Sequence, residues 1–476
     1  MKSVGILLAK WTKKLLFTQP DVMAEIKKLN PKRFDAYVSL SKSPAASYVS
    51  KELAWYSNLD ESILGVVLLD IIDTDYVSVV LARDMNRVFR AIDVQANFGT
   101  FEQAKEWLFR AIRWHSASGK KIFPQGDEKK SLDLFKPIVP IEKQHPYFVR
   151  LNMDEAFLPA KTIINEIMPH FIDIDGNFVE QFQTIGFDSR LWELFLFMYF
   201  NEEELFIRRD YNAPDFIVEK YGMSVAVEAV IVGRKEDNPP RCFRSINDIP
   251  LPSNILEKHE HEMPIRFGSP LYSKLKKQYW ELEHVKGKPL VFAIADFHDD
   301  QSMLWSSTAL INYLYGVKHE FYYDDNGQLV IVPRKIDCHK IGKKTIPSGF
   351  FFQTNSEYVS AILFSASGTI SKFNRIGRQA GFAAKDVIMI RIGTCHDHDP
   401  NACMPKMFEY IVDENSNETW GEGISMFHNP NALYPVPEDL FPSIAHHHFV
   451  DGQIVSKLPE FYPYASVTWN IRLTKQ

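Results

Sequence analysis

The stretch DFIVEKYGMSVAVEAVIV, residues 215–232, contains two short apolar runs that are rich in β-branched residues. A Tyr-Gly pair separates the runs, and glycine at such a position favours a tight turn between paired strands. In the second run the side chains alternate, so Ala226 and Glu228 share one face of the strand. The pattern therefore predicts a β-hairpin that carries a glutamate on an otherwise apolar face. An ionised carboxylate in that setting is costly unless a partner or a metal ion compensates it.

The flanking sequence predicts further elements on both sides of this hairpin. DSRLWELFLFMYF (188–200) has the apolar spacing of a helix, and SPLYSKLKKQYWELEHV (269–285) predicts a second amphipathic helix capped by Ser269. LFIRR (205–209) and KPLVFAIADF (288–297) are typical of strands. The predicted order is helix, three strands, helix, strand.

Three acids in this region have the surroundings expected of metal ligands. Asp215 follows a proline at the start of the first hairpin strand, Glu228 lies within the second strand, and Glu193 lies among apolar residues of the first helix. Mg²⁺ and Mn²⁺ prefer oxygen ligands, and a cation held by carboxylates can activate water to hydrolyse a phosphodiester. In the predicted hairpin, Asp215 and Glu228 lie close to one another across the strand pair.

This order of elements and acids resembles the αβββαβ core of the restriction-endonuclease-like PD-(D/E)XK nucleases over residues 188–297. The resemblance implies that Glu193, Asp215 and Glu228 bind Mg²⁺ or Mn²⁺. It also implies that metal-bound hydroxide attacks the phosphorus of a nucleic acid.

The sequence departs from the family at the lysine, because the Glu-X-Lys motif is here Glu228-Ala229-Val230. Some members of the group take this lysine from a neighbouring element. The helix predicted at 269–285 offers Lys274 as the first choice for a migrated catalytic lysine and Lys277 as the second. This departure bears on catalysis more than on the fold.

The length and composition of the chain indicate a multi-domain protein of mixed α/β (α+β) class. A chain of 476 residues exceeds the size at which one core keeps growing. We expect an N-terminal α+β accessory domain (1–165), the nuclease-like domain (166–300) and a C-terminal mixed domain (301–476). No run of about 18 apolar residues suggests a membrane span, so the cytoplasm is the expected location.

A basic segment is the candidate nucleic-acid surface. Residues 331–380 contain eight lysines and arginines and two acids, with aromatic residues between them. The candidate contacts are Lys340, Lys343, Lys344, Lys372, Arg375 and Arg378. Such residues give salt-dependent affinity for phosphates, and exposed aromatic rings can stack on bases. The alternative is a solvated basic face whose aromatic residues belong to the core. The net charge of −6 excludes only binding of a polyanion over the whole surface.

A second cluster could bind zinc. Cys395, His396 and His398 are followed by Cys403, and either Cys338-His339 or the histidine triplet 446–448 could complete four ligands. The spacing matches no standard zinc finger or ribbon, which favours a structural or incidental use.

The sequence therefore predicts a Mg²⁺- or Mn²⁺-dependent nuclease, and a role in genome defence or repair follows by analogy of fold alone. Its expected partner is nucleic acid, DNA rather than RNA, and a homo-oligomeric state is left open. The main alternative is a non-catalytic nucleic-acid-binding or interaction protein with a degenerate nuclease fold. A zinc-dependent hydrolase that uses the 395–403 loop is a weaker third hypothesis.

Overall fold

The computed structural model describes residues 25–43, 45–126, 132–235, 240–241 and 255–473. Helix and strand occur in nearly equal shares, 32% and 31%, which confirms the mixed α+β class. The α-helices are α1 (Pro31–Val38), α2 (Ala46–Val49), α3 (Phe101–Ala117), α4 (Pro146–Met153), α5 (Leu158–Ile167), α6 (Phe178–Gln183), α7 (Phe187–Glu202), α8 (Ile255–Glu257), α9 (Met263–Leu275), α10 (Ser307–Tyr315) and α11 (Ile370–Gln379).

The strands are β1 (Ile26–Lys28), β2 (Ser50–Asn58), β3 (Ile63–Asp70), β4 (Tyr76–Arg83), β5 (Phe89–Phe98), β6 (Phe206–Arg208), β7 (Phe216–Lys220), β8 (Met223–Val232), β9 (Leu290–Asp296), β10 (Val317–Tyr323), β11 (Leu329–Lys335), β12 (Cys338–Ile341), β13 (Lys344–Pro347), β14 (Ala361–Ser365), β15 (Val387–Cys395), β16 (Lys406–Ile411), β17 (Ile424–His428), β18 (Ala445–Val450), β19 (Gln453–Lys457) and β20 (Pro463–Arg472).

The chain divides into two compact units. One comprises residues 1–29 and 45–129, and the other comprises residues 30–44 and 130–476. The described part of the first unit is an antiparallel sheet in the order β1-β2-β3-β4-β5, against which α3 packs. Leu108 and Ile112 of α3 approach Gly65 so closely that an added Cβ would lie 2.8 Å from each side chain. Gly65 thus permits the close packing of helix on sheet.

The second unit is built on an eight-stranded mixed sheet in the order β19-β18-β17-β14-β9-β8-β7-β6. A large apolar core lies on the face that α7 covers, and it includes Val225 and Val227 of β8. A second core lies on the face of α9 and α10, and it includes Ala226 and Val230. Both sheet faces are therefore buried, and a residue's position along β8 decides which core it enters.

The segment from α7 to β9 has the predicted order of elements. β6, β7 and β8 form an antiparallel meander, and β9 pairs in parallel with β8. Tyr221 and Gly222 join β7 to β8 with φ angles of 55° and 75°. Two successive residues with positive φ form the turn whose twist suits a hairpin. The hairpin predicted from the sequence is confirmed.

The helix predicted at 269–285 has different bounds. It starts at Met263, six residues before the predicted cap Ser269, and Pro270 lies inside it rather than in its first turn. Met263 and Phe267 are fully buried, so burial of this apolar face extends the helix despite the proline. Gln278 has a left-handed φ of 51° after the helix ends.

The division into domains also differs from the predicted one. The boundary expected at residue 165 falls within α5, whose Ile163 and Ile164 belong to the same core as α7. The boundary expected at residue 300 falls between strands of one sheet, because β14, β17, β18 and β19 extend the sheet that β6 to β9 begin. Hydrogen bonding between strands distant in the chain produces this difference.

Among the described residues, no helix is both long enough and apolar enough to cross a membrane.

Candidate functional site

Asp215 and Glu228 come together where β7 begins. Phe216 and Val227 are paired at this end of the β7–β8 ladder, so the next register positions are those of Asp215 and Glu228. Glu228 lies on the sheet face that α9 covers, because side chains alternate along β8. The backbone N–H of Ala229, beyond the last paired residue, donates to Asp215 Oδ2 at 2.8 Å. The aspartate side chain thus occupies the position of a missing strand partner.

Glu228 is buried and receives two donors from the segment that includes α9. It is 5% exposed. The Lys274 ammonium forms an ion pair with Glu228 Oε1, and the Tyr279 hydroxyl donates to the same oxygen at 2.6 Å. The helix therefore brings Lys274 to the acid beside which the strand motif has no lysine. Tyr279 was not among the predicted site residues.

Lys277, the second choice, does not join this cluster. Its side chain is exposed, and its ammonium lies 5.9 Å from the centre of the Tyr279 ring. The two lysines are three positions apart, but the end of α9 at Leu275 places Lys277 in the turn that follows the helix.

Glu193 is held by arginines. Its Oε1 accepts a hydrogen bond from Arg190 at 2.7 Å, and its Oε2 accepts one from Arg209 at 3.2 Å. The glutamate is 3% exposed, so two guanidinium groups compensate a carboxylate that burial would otherwise destabilise. These two guanidinium groups compete with a metal ion for the Glu193 oxygens.

The electrostatics of the site favour protonation of Asp215. The pKa of Asp215 is raised to about 7, mainly by burial and also by the neighbouring carboxylates of Glu228 and Glu193, while the Ala229 N–H and Lys274 oppose the shift. Burial also raises the pKa of Glu193, although Arg190 and Arg209 oppose this effect. Burial therefore disfavours the ionised forms of both Asp215 and Glu193.

The carboxylates of this site are partly suited to binding a hard divalent cation. Asp215 and Glu228 both offer carboxylate oxygens, which are the ligand type that Mg²⁺ and Mn²⁺ prefer. A pocket beside Asp215 is lined by Arg190, Arg209, Tyr211 and other polar residues. Glu193 is paired with Arg190 and Arg209 and Glu228 with Lys274, whereas the contact of Asp215 described above is with a backbone N–H.

Half of the predicted nucleic-acid contacts are on the surface. Lys340, Lys343 and Lys344 are exposed on the hairpin of β12 and β13. This hairpin packs against α9, where a Cβ added at Gly268 would lie 2.9 Å from Ile346. We call this set of three lysines the basic hairpin.

The prediction was wrong for Lys372 and Arg375. Both are buried, and Lys372 lies 2.8 Å from Glu418 Oε1. Arg375 binds both oxygens of Glu418, at 2.6 and 2.8 Å. These charges are neutralised in the interior and cannot contact a nucleic acid on the surface. Arg378, on the same helix, is partly exposed.

The cysteine and histidine cluster at 395–403 does not gather a metal site. The ring of His396 bonds to the Tyr464 hydroxyl, and His398 bonds to the Glu460 carbonyl. Cys395 is buried, whereas Cys403 is exposed. The further ligands predicted at Cys338 and His339 do not complete the cluster, because His339 bonds to the Glu260 carbonyl and to Ser348.

A different group of ligand-type side chains does converge. Over the described residues, the His, Cys, Asp and Glu side chains that could together hold a metal ion are His428, Glu438 and His448. One ligand atom of each lies within 4.8 Å of the others. The sequence singled out the triplet that contains His448 but missed His428 and Glu438. The missing signal was the parallel pairing of β17 with β18, which sets His428 beside the triplet.

Comparisons of the chain with protein-family models, with curated proteins and with solved structures gave no match. The function has to be inferred from the fold and the side chains of this chain.

Proposed function

We propose that this protein is a metal-dependent nuclease that hydrolyses nucleic-acid phosphodiester bonds at Asp215, Glu228 and Lys274. One observation carries the proposal. Asp215 and Glu228 directly follow the last residue pair of the β7–β8 ladder on its two strands, and a lysine from an adjacent helix reaches Glu228. The order of α7, β6, β7, β8, α9 and β9 supports a restriction-endonuclease-like core around this site.

Each residue has a role that follows from its contacts. Asp215 and Glu228 would hold Mg²⁺ or Mn²⁺, which when bound activates water and neutralises charge on the phosphate. Asp215 must lose its proton to bind the cation. Tyr279 orients Glu228 by its hydrogen bond. The Lys274 ammonium donates a hydrogen bond to the negative charge that develops in the transition state.

The proposed partner is nucleic acid, with DNA preferred because restriction endonucleases, for which the fold is named, cleave DNA. The basic hairpin supports this partner, since its three lysines are exposed and it packs against the helix that carries Lys274. Lysines near phosphates raise affinity by releasing counterions.

A second candidate function is favoured by one observation. The charges of Glu193 and Glu228 are already compensated, by Arg190 and Arg209 and by Lys274. A site whose acids are so neutralised could persist in a protein that binds nucleic acid without cleaving it.

Cleavage by the full-length chain tests the proposal. The substrates are duplex DNA, single-stranded DNA and single-stranded RNA, each with Mg²⁺, with Mn²⁺ and with a chelator alone. We expect cleavage only with a metal ion, and none by the Asp215→Asn variant, which should bind nucleic acid at least as tightly because a negative charge is removed.

Binding without metal-dependent cleavage in the wild type would support the second candidate. Cleavage that persists in Asp215→Asn, or in the chelator, would contradict the proposed site.

A further inference from the structure

We propose that His428, Glu438 and His448 form a binding site for one Zn²⁺ ion, separate from the carboxylate site. The three side chains come from β17, from the turn Glu438–Leu440 and from β18.

The pairing of two strands brings the histidines together. β17 and β18 are parallel, with Met426 beside His446 and Phe427 beside His447. The next position places His428 beside His448 on the same sheet face, and their rings stack with centroids 4.2 Å apart. Cross-strand neighbours on one face start close together, so their side chains can reach the same ion.

The third ligand comes from the connection between these strands. Glu438 Oε1 lies 2.8 Å from His448 Nε2. The other oxygen, Oε2, is 3.3 Å from the Lys457 ammonium, so a cationic partner already lies on that side. Oε1 therefore faces the two imidazoles, while Oε2 faces Lys457.

A further histidine sets the tautomer of His428. His446 Nε2 lies 2.9 Å from the carbonyl oxygen of Phe441, which can only accept a hydrogen bond. In a neutral ring His446 Nδ1 is then an acceptor, and it lies 2.9 Å from His428 Nε2. His428 Nε2 is therefore the protonated nitrogen, which leaves the Nδ1 lone pair for an ion. Outer hydrogen bonds of this kind commonly orient histidine ligands.

The donor chemistry selects the class of ion. Two imidazole nitrogens and one carboxylate oxygen are a common zinc donor set, with a fourth position left for water. Mg²⁺ and Ca²⁺ prefer oxygen ligands throughout. Copper(II) binds nitrogen sites more tightly than zinc, so it is excluded from the titration solutions.

The proposed zinc site lies on the other face of the sheet from Glu228. His428 pairs with Ala361, which continues the row of Val291 and Val227 on the face of α7. Glu228 follows Val227 and faces α9. The ion would tie Glu438, in the connection from β17 to β18, to both strands that this connection joins. It does not depend on the nuclease proposal.

The test uses the full-length chain, freed of metal with a chelator and titrated with ZnCl₂ alone. Calorimetry measures the affinity, and elemental analysis after desalting measures the stoichiometry. We expect one zinc ion per chain at this site. Replacing a ligand, as in His448→Gln or Glu438→Gln, should weaken binding by more than the roughly 10- to 100-fold typical of losing an outer hydrogen-bond partner.

Two control variants separate the site from the rest of the chain. His398→Gln alters the exposed histidine of the 395–403 cluster and should leave this binding unchanged. Lys457→Met removes a cation beside Glu438 and should leave the affinity equal or higher. Co²⁺ in place of zinc should give a visible absorption band in the wild type that His448→Gln lacks.

The thermal midpoints of the metal-free variants show whether each one is folded. A wild type that retains no zinc, or ligand variants that bind zinc as the wild type does, would overturn the proposal. Loss of binding in His398→Gln instead would assign the ion to the other cluster.

Discussion

Lys274 and Glu228 form the contact on which the proposed chemistry depends most directly. Lys274 lies in the last turn of α9 and reaches the buried glutamate, whereas Lys276 and Lys277, which follow the helix, are exposed. The ion pair also compensates the charge of Glu228, which is 5% exposed. The same ammonium can therefore stabilise the free protein and the developing charge on a phosphate.

Lys274→Met should lower the rate of cleavage on the order of 100-fold, the usual cost of removing one transition-state donor. Affinity should fall much less, because one lysine contributes about one unit to the salt slope of binding. Single-turnover cleavage and binding titrations measure the two effects. Lys276→Met is the matched control, since Lys276 lies on the same stretch of chain with its ammonium 4.5 Å from the Tyr272 ring. Equal losses in both variants would argue against a catalytic role for Lys274.

Asp215 should make metal binding depend on pH. Its pKa is raised to about 7, mainly by burial. Below that pH a proton competes with the cation, so the apparent affinity for Mn²⁺ should rise about tenfold per pH unit and level off above pH 7. Titrations at several pH values test this, and the dependence should be absent in Asp215→Asn. An affinity that is flat from pH 5 to 7 would contradict the assignment.

The same shift has a consequence for the stability of the metal-free protein. A carboxyl group whose pKa is higher in the folded state contributes stability below its unfolded pKa of about 4, and this stability is lost as the pH rises through 7. Asp215→Asn should therefore unfold at a higher urea concentration than the wild type at pH 8, and at a similar concentration at pH 4. A variant less stable than the wild type at pH 8 would mean that the Ala229 hydrogen bond outweighs the cost of the charge.

Some of the residue-level geometry could be predicted from the sequence. Alternation along β8 gave the face of Glu228, and the Tyr-Gly turn gave the register that sets Asp215 opposite it. Arg190 precedes Glu193 by three helical positions, so that pair was accessible to the same reasoning. Arg209 was not, because its approach to Glu193 depends on how the chain after β6 folds back on α7.

At the scale of elements, α11 shows why the number of basic residues in a segment does not identify a nucleic-acid surface. Lys372 and Arg375 are three residues apart and share the helix face that meets Glu418. Glu418 lies 43 residues from Arg375 in the chain, so no local pattern reveals it. The basic segment 331–380, predicted to be a surface, therefore lies partly in the protein core.

Arg375→Met should destabilise the fold by about 3–5 kcal/mol, because it leaves the buried Glu418 with less compensation. Urea unfolding measures this loss. At a temperature where the variant is folded, its affinity for DNA should equal that of the wild type. A large loss of affinity without a loss of stability would restore Arg375 to the nucleic-acid surface.

Changes in the basic hairpin should weaken nucleic-acid binding and leave the stability of the fold nearly unchanged. Replacing Lys340, Lys343 and Lys344 by glutamine should lower the salt slope of nucleic-acid binding by about three units, one for each lysine. Stability should change by less than about 0.5 kcal/mol for each exposed position. Binding titrations over a range of salt concentrations test the slope. An unchanged slope would place the nucleic-acid surface elsewhere.

At the scale of the whole molecule, the fold class could be predicted from the sequence, but the division of the chain into domains could not. Composition and alternating patterns indicated a mixed α+β protein, which the shares of helix and strand confirm. The eight-stranded sheet joins strands from both sides of residue 300. A sequence read segment by segment cannot show which distant strands share hydrogen bonds.

The two compact units provide a test at this scale. Leu108→Ala removes a fully buried side chain from the core beneath α3 and should cost about 2–5 kcal/mol. Hydrogen exchange should then show faster exchange of β3 and β4 amides, while those of β8 and β9 keep their protection. A uniform loss of protection over both sheets would show that the units unfold together.

The separation of Lys274 from Glu228 by 46 residues also has a consequence for synthesis of the protein. A nascent chain carries both acids well before it carries the lysine, and β9, which supports β8, comes later still. The proposed site therefore remains incomplete until synthesis has passed α9 and β9. A lysine carried on β8 itself would be synthesised together with the acids and would give no such delay.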